Sequence, residues 1–308
     1  MIDKNSSIFI ADSNKPLGLA IINQLEQHGY YNILSNGNNL VDLTNQQAVN
    51  NWFSHYQPDY IVIAAGKSGG ITANQKQPAT LFFDNIITEV NLIDAASKYK
   101  AKKLLYLASS CIYPKLAEQP IKEESLMTGK LELTNEAYAT AKLAGIVMCQ
   151  AYRKEYNKDF IAAVPTNYFS ANDSFSVENS HVITALIAKI HTAKINEDKF
   201  VKILGSGDPI REFLYIDDIA RASIFLLENY SSHEIINIAG GVNISIRDLA
   251  YQLKEIIGYH GQFIFDTDFP DGMPVKILDN TRIKSIGWSP KTDFKEALLN
   301  TYKSYLSL

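Results

Sequence analysis

Four short apolar runs constrain this chain more than any other feature: SIFIA (7–11), DYIVIAA (59–65), KLLYLA (103–108) and DFIAAV (159–164). Each is nearly continuous in apolar residues, the mark of a strand buried on both faces, and each is followed by a stretch long enough for a helix. The stretch 16–29 opens with Pro16 and closes with Gly29, which suit the first turn and the end of a helix. A second strand is expected at 31–34 and a long helix at 78–98. This βαβαβαβ alternation predicts an α/β fold with a doubly wound parallel sheet of the Rossmann kind, whose ligands bind at the carboxyl edge.

From Pro165 the pattern changes. PTNYFSANDSFSVENS (165–180) is polar and turn-rich, and a helix over 179–194 presents His181, Lys189 and His191. The chain is expected to leave the dinucleotide-binding domain here (1–165) for a second, smaller α/β substrate-binding domain (166–211). EFLYIDDIARASIFLLEN reads as strand then helix and HEIINIAG as a last strand, returning the chain to the first domain over about 212–240. Residues 241–308 then complete the substrate side.

With 308 residues, 46% hydrophobic and 20% charged, the chain can build a full core. A net charge of −4 gives no general attraction to nucleic acid or anionic membrane, so an anionic substrate needs a local cluster of Lys and Arg. No apolar run approaches the length of a membrane span, and the N-terminal apolar segment is too short for a signal peptide, so a cytoplasmic protein is expected. The two cysteines, Cys111 and Cys149, fit that compartment and are too few for a disulfide framework or a zinc cage. No metal site is expected.

Tyr138 and Lys142 are four apart, so on a helix they share one face with the ammonium one turn from the phenol. A phenol is a poor acid or base at neutral pH, and a neighbouring cation draws it toward the operating range. Ser109 stands where the central strand enters its loop, at the sheet edge where ligands bind.

These residues sit within a longer ordered series: SSCIYPKLAEQPIKEESLMTG (109–129), TNEAYATAKLAGI (134–146), PTN (165–167), ENSHV (178–182), GSGDPIREFLYIDDIA (205–220) and PDGMPVKILD (270–279). Together they resemble the GDP-L-fucose synthases, a family of the extended short-chain dehydrogenase/reductases, over almost the whole chain from Ile8 to about Tyr305. The resemblance implies inversion of a GDP-4-keto-6-deoxy-hexose at C3 and C5, followed by reduction of its C4 ketone by NADPH. Cys111 and His181 match the family's acid–base pair; taken alone, each reads as an inert thiol and an ordinary histidine. Tyr138 would protonate the C4 oxygen and Ser109 would hold it, with Ser110 as the substitute by alternation. Lys142 would lower the phenol's pKa and bind the nicotinamide ribose.

The family's cofactor turn reads G-x-x-G-x-x-G, and this chain has Asp12-Ser13-Asn14-Lys15-Pro16-Leu17-Gly18, keeping only the last glycine. Asp12 would place a carboxylate near the pyrophosphate, and Lys15 either supplies a compensating cation or fills the space. Asp42 either meets the adenine or caps the helix starting near Asn45. Ala64, Ala65, Lys67 and Pro165 complete the expected cofactor set with Asp12, Asn14, Lys15, Leu17, Gly18, Asp42, Tyr138 and Lys142. Ser35-Asn36 stands where the family has a basic residue, so NADP(H) is implied by the resemblance while NAD stays open. The expected substrate set is Asn167, His181, Lys189, Arg211 and Lys276; Lys for Arg at 189 forfeits a bidentate fork. The family forms homodimers through two long helices, and the same is expected here. Two alternatives stay beside this reading: a reductase-only enzyme or an epimerase acting on another nucleotide sugar such as a deoxyheptose, and a nucleotide-sugar-binding protein with impaired cofactor binding.

Overall fold

The computed structural model describes residues 2–35, 41–67, 69, 71–173, 175, 182–269 and 271–308. Along the chain run β1 (Ile8–Ala11), α1 (Pro16–Gln27), β2 (Ile33–Ser35), α2 (Gln46–Tyr56), β3 (Tyr60–Ile63), α3 (Ile71–Lys76), α4 (Pro78–Lys98), β4 (Lys103–Leu107), α5 (Glu136–Tyr156) and β5 (Asp159–Pro165). There follow β6 (Asn167–Phe169), α6 (Val182–Ile195), β7 (Phe200–Leu204), β8 (Ile210–Tyr215), α7 (Ile216–Asn229), β9 (Ile236–Ile238), β10 (Val242–Ser245), α8 (Ile246–Ile257), β11 (Gln262–Asp266), β12 (Val275–Lys276), α9 (Thr281–Ser285) and α10 (Phe294–Tyr305).

Six strands form one parallel sheet in the order β2-β1-β3-β4-β5-β9. Its apolar runs divide by parity, as side chains alternate across a strand. Phe9, Ile61, Ile63, Leu104, Tyr106 and Phe160 pack on one face with α2, α4 and α5. Ile8, Ile10, Val62, Leu105, Leu107 and Ile161 pack on the other with α1 and α7. Both faces are covered, which is why these strands carry almost no polar residue. Strand order reverses between β1 and β3, so a crevice opens at the carboxyl ends of those two strands.

A second sheet has the order β10-β8-β12, with β6 also pairing with β8, and β7 pairs with β11 apart from it. Phe169, Phe213 and Ile244 of this sheet share a core with Leu186, Leu249 and Leu298 of α6, α8 and α10.

Two boundaries differ from those expected. The strand opening the segment 212–240 is expected with the first domain, but it is β8, whose partners are β6, β10 and β12; the chain returns to the first layer only with α7, which packs on α1, and then β9. Residues beyond β12 also do not stay wholly on the second side, because Ile283 and Trp288 join the core beneath α1 and α7. Glu212, 1% exposed, ties the parts together: Oε1 accepts from Gly240 N (2.6 Å) and Gly241 N (3.0 Å), and Oε2 from Leu278 N (3.0 Å). The expected helix over 179–194 is α6, with 179–181 outside the described residues. Among the described residues no helix is long and apolar enough to cross a membrane.

Candidate active site

β4 ends at the first sheet's carboxyl edge and passes into a single 3-10 turn, Ser110–Ile112. Ser109 caps that turn, its Oγ accepting from Cys111 N at 3.3 Å. Ser110 is buried, whereas Ser109 and Cys111 stay partly exposed. Between the two serines weighed from sequence, Ser109 is the partly exposed one and lies near enough to act on the Tyr138 phenol.

α5 begins at Glu136, so Tyr138 stands in its first turn and Lys142 one turn on. Burial pushes the Tyr138 phenol well above its ordinary value, nearby Cys111 adds to that shift, and Ser109 opposes it. In the free protein any lowering by Lys142 does not outweigh burial. The Lys142 charge is answered elsewhere. Its Nζ donates to Glu89 Oε1 at 2.9 Å and to Ala65 O at 3.4 Å, with both side chains almost wholly buried. Burial raises the Glu89 carboxyl pKa, and Lys142 opposes the rise.

Sequence reasoning missed Glu89, although a signal was present. Leu81, Asn85, Glu89, Leu92 and Ala96 follow the buried stripe of α4, and two polar residues on such a stripe need partners. Asn85 has its own: it donates to Lys67 O (2.9 Å) and accepts from Lys67 N (3.1 Å), clamping the loop after β3.

At the crevice between β1 and β3 lies a cleft of about 460 Å³, lined by Asp12, Asn14, Lys15, Asp42, Lys67 and Asp84 among others. The altered glycine turn keeps a usable shape for physical reasons. Asp12 adopts φ 55°, a left-handed conformation that Asp tolerates better than most residues, and its Oδ2 accepts from Gly66 N at 3.2 Å. Lys15 has φ −93°, which any residue adopts, so glycine is not needed there. At Gly18 it is needed: a Cβ would lie 2.4 Å from Asp12 O. Asp12, Lys15 and Gly18 therefore leave the N-terminus of α1 open to an anion, and the site fits a dinucleotide pyrophosphate.

Leu17 and Gly18 are buried beneath the turn, and Pro165 ends β5 in the core. Ala64 is partly buried at the end of β3, beside Ala65. Lys67 pairs with Asp84 at 2.5 Å on the exposed rim. Asp42 does not cap α2: its Oδ1 accepts from Thr44 N and Thr44 Oγ1, and Asn45 is the cap, accepting from Ala48 N. Of Ser35 and Asn36, where cofactor preference was sought, Ser35 ends β2 exposed and Asn36 lies outside the described residues.

On the substrate side, Lys276 Nζ lies 3.6 Å from Cys111 Sγ. Arg211 is the register partner of Lys276 across β8 and β12. Burial lowers the Arg211 pKa, with Asp271 opposing, and its Nη1 donates to Ile210 O at 2.9 Å. Burial, then repulsion from Lys202, lowers Lys189. Asn167 donates to Glu212 O at 3.1 Å. His181 lies outside the described residues. The structure thus brings Ser109, Cys111, Tyr138 and Lys276 to one edge, with Lys142 and Glu89 beneath it.

Residues 17–239 match the NAD dependent epimerase/dehydratase family. The chain belongs to this family. Within it the chain groups with the GDP-L-fucose synthases. It is 44% identical to GDP-L-fucose synthase 1 of Arabidopsis thaliana, over 99% of this chain and 95% of that protein. It is 41% identical to the GDP-L-fucose synthase of Escherichia coli, over 97% of this chain and 96% of that protein. Among solved structures, GDP-mannoheptose C4 reductase from Campylobacter jejuni with NADP bound is similar at a TM-score of 0.90 and 30% identity, covering 99% of this chain and 100% of that one. The epimerase/dehydratase match begins at Leu17, just past the substituted positions of the glycine turn.

Proposed function

We propose that this chain inverts C3 and C5 of a GDP-4-keto-6-deoxy-hexose and reduces its C4 ketone with NADPH, giving GDP-L-fucose or a close relative. One observation carries the reading. Ser109 and Cys111 share a single turn, the hydroxyl near Tyr138 and the thiol facing Lys276. That turn can serve both the ketone oxygen and the neighbouring carbon that the ketone makes acidic.

Cys111, as the thiolate with Lys276 beside it as counter-ion, removes the proton from a ring carbon adjacent to the ketone and is left as the neutral thiol. His181 is the partner on the opposite ring face, on the family resemblance. The turn from Asp12 to Gly18 and Lys142 would hold NADPH, which when bound would supply hydride for C4. Tyr138 gives its proton to the C4 oxygen, and Ser109 holds that oxygen by a hydrogen bond. Lys189 and Arg211 are the cations for the GDP diphosphate, and Asn167 adjoins the sugar. NADP(H) is assigned from the relatives; NAD remains the alternative.

A homodimer formed through α4 and α5 is supported by Phe83, Val147 and Tyr156, which stand 59%, 45% and 53% exposed on those helices; light scattering on the purified protein tests it. The composition supports a cytoplasmic location.

A second reading, reduction of another GDP-sugar without epimerisation, is supported by the similarity to the heptose C4 reductase. Product analysis by NMR after turnover of GDP-4-keto-6-deoxymannose with NADPH separates the two: inverted C3 and C5 support the first, and a product reduced only at C4 supports the second.

A further inference from the structure

One buried charge has no part in the chemistry proposed above. Glu89 is 1% exposed on α4, and among the described residues only one of its oxygens is satisfied, by Lys142 Nζ at 2.9 Å. Among the same residues its Oε2, also buried, meets no hydrogen-bond donor. The Tyr106 hydroxyl lies beside it but gives its proton to Lys142 O at 3.0 Å. A half-satisfied buried carboxylate is expensive, and a packed apolar side chain would be the cheaper core residue at this position.

The approach of the two helices is shaped to permit the contact. Gly145 follows Lys142 by three residues on α5, and a Cβ there would meet Glu89 Oε2 at 2.8 Å and the Tyr106 ring at 2.5 Å. Glu89 thus reaches the lysine only because residue 145 lacks a side chain. Lys142 has three N–H donors. One is fixed by Glu89 and another lies near Ala65 O at the carboxyl end of β3; the ammonium also stands 4.6 Å from the Tyr106 ring centre, and the third N–H makes no hydrogen bond among the described residues.

We propose that Glu89 is the positioning residue for Lys142, fixing its ammonium at the end of β3 so that its remaining N–H meets a hydroxyl of the cofactor ribose. Glu89 therefore acts on cofactor binding and reduction, and leaves proton exchange at Cys111 alone. The division between reduction and epimerisation rests on the proposed function; the contact with cofactor does not require the sugar.

The first arm of the test uses NADPH and the full chain without sugar. Affinity is read from energy transfer to bound NADPH for the wild type, Glu89→Gln, Lys142→Met and the double variant. Glu89→Gln is expected to weaken binding about tenfold, the scale of one charge-assisted hydrogen bond. The double variant is expected to bind no more weakly than Lys142→Met, because Glu89 acts through the lysine. Multiplied losses in the double variant, or unchanged affinity in Glu89→Gln, would overturn the proposal. Glu89→Asp keeps the charge and is expected to recover part of the affinity. If Glu89→Gln does not fold, Glu89→Asp takes its place in the cycle, with a smaller loss and the same non-additivity expected.

The second arm uses GDP-4-keto-6-deoxymannose in deuterated water. Glu89→Gln is expected to slow NADPH oxidation about tenfold or more, with deuterium entry at C3 and C5 within about twofold of wild type on the same principle that only the displaced group suffers. Equal losses in both would overturn the proposal. A wild type inert toward this sugar would reject the proposed function, and the NADPH cycle would still decide the role of Glu89.

Discussion

Lys276 Nζ approaches Cys111 Sγ to 3.6 Å across a sequence separation of 165 residues. The contact joins β12 to the turn after β4, and it gives the thiol a cation at the moment it loses a proton. Lys276→Met should slow alkylation of the free protein by iodoacetamide about three- to tenfold, the range for one partly screened charge contact. Cys149 is 1% exposed, so the measured rate reports Cys111. An unchanged rate would leave Lys276 to the substrate alone.

Tyr138 predicts a pH dependence of definite sign. Burial raises its pKa, so the folded protein holds the phenol protonated through neutral and mildly alkaline pH and loses that form only above the ordinary phenol range. Reduction consumes the protonated form, so its rate should not fall from this group between about pH 7 and 9. Tyr138→Phe should slow reduction by roughly 10²–10⁴-fold while deuterium still enters C3 and C5. A reduction rate that Tyr138→Phe leaves unchanged would remove Tyr138 from the chemistry.

The cofactor turn makes opposite predictions for two of its positions. Gly18→Ala forces a Cβ to within 2.4 Å of Asp12 O, so the turn must shift and NADPH binding should fall at least about tenfold. Asp12→Gly accommodates φ 55° without strain and should retain binding. Calorimetric titration with NADPH distinguishes these outcomes, and equal affinities for the two variants would contradict the role given to Gly18.

Much of the first sheet is legible in the sequence because its strands are buried on both faces. Phe9 and Ile10 face different cores, and both are apolar, so the run reads as a strand without knowledge of its partners. The placement of Ile210–Tyr215 is not legible, since its apolar residues look alike whether they face β9 or β12; its partners follow from pairings made far along the chain. Tyr138 and Lys142 are visible through helical spacing. For Glu89 the apolar stripe of α4 shows that a partner is needed, but not which one, because Lys142 sits 53 residues away and only the fold aligns α4 with α5. Asp42 misleads as a cap because Asn45, three residues on, offers the same chemistry in better register.

Glu212 is a stability test independent of catalysis. Its carboxylate accepts three backbone N–H groups, from Gly240, Gly241 and Leu278, at 1% exposure. Glu212→Ala strands all three donors, a cost of about 3–5 kcal/mol. Thermal unfolding should shift down by about 10 °C. A shift of less than about 2 °C would mean that the three donors find new partners.

In the proposed function, the turn holding Ser109 and Cys111 supports both proton exchange at the ring and reduction at C4. Its most direct test is turnover of GDP-4-keto-6-deoxymannose with NADPH in deuterated water, with the product examined by NMR. The account predicts a C4-reduced GDP-6-deoxyhexose, inverted at C3 and C5, that carries solvent deuterium at both carbons, and predicts that Cys111→Ala loses the deuterium. A reduced product without deuterium at C3 and C5 would contradict it.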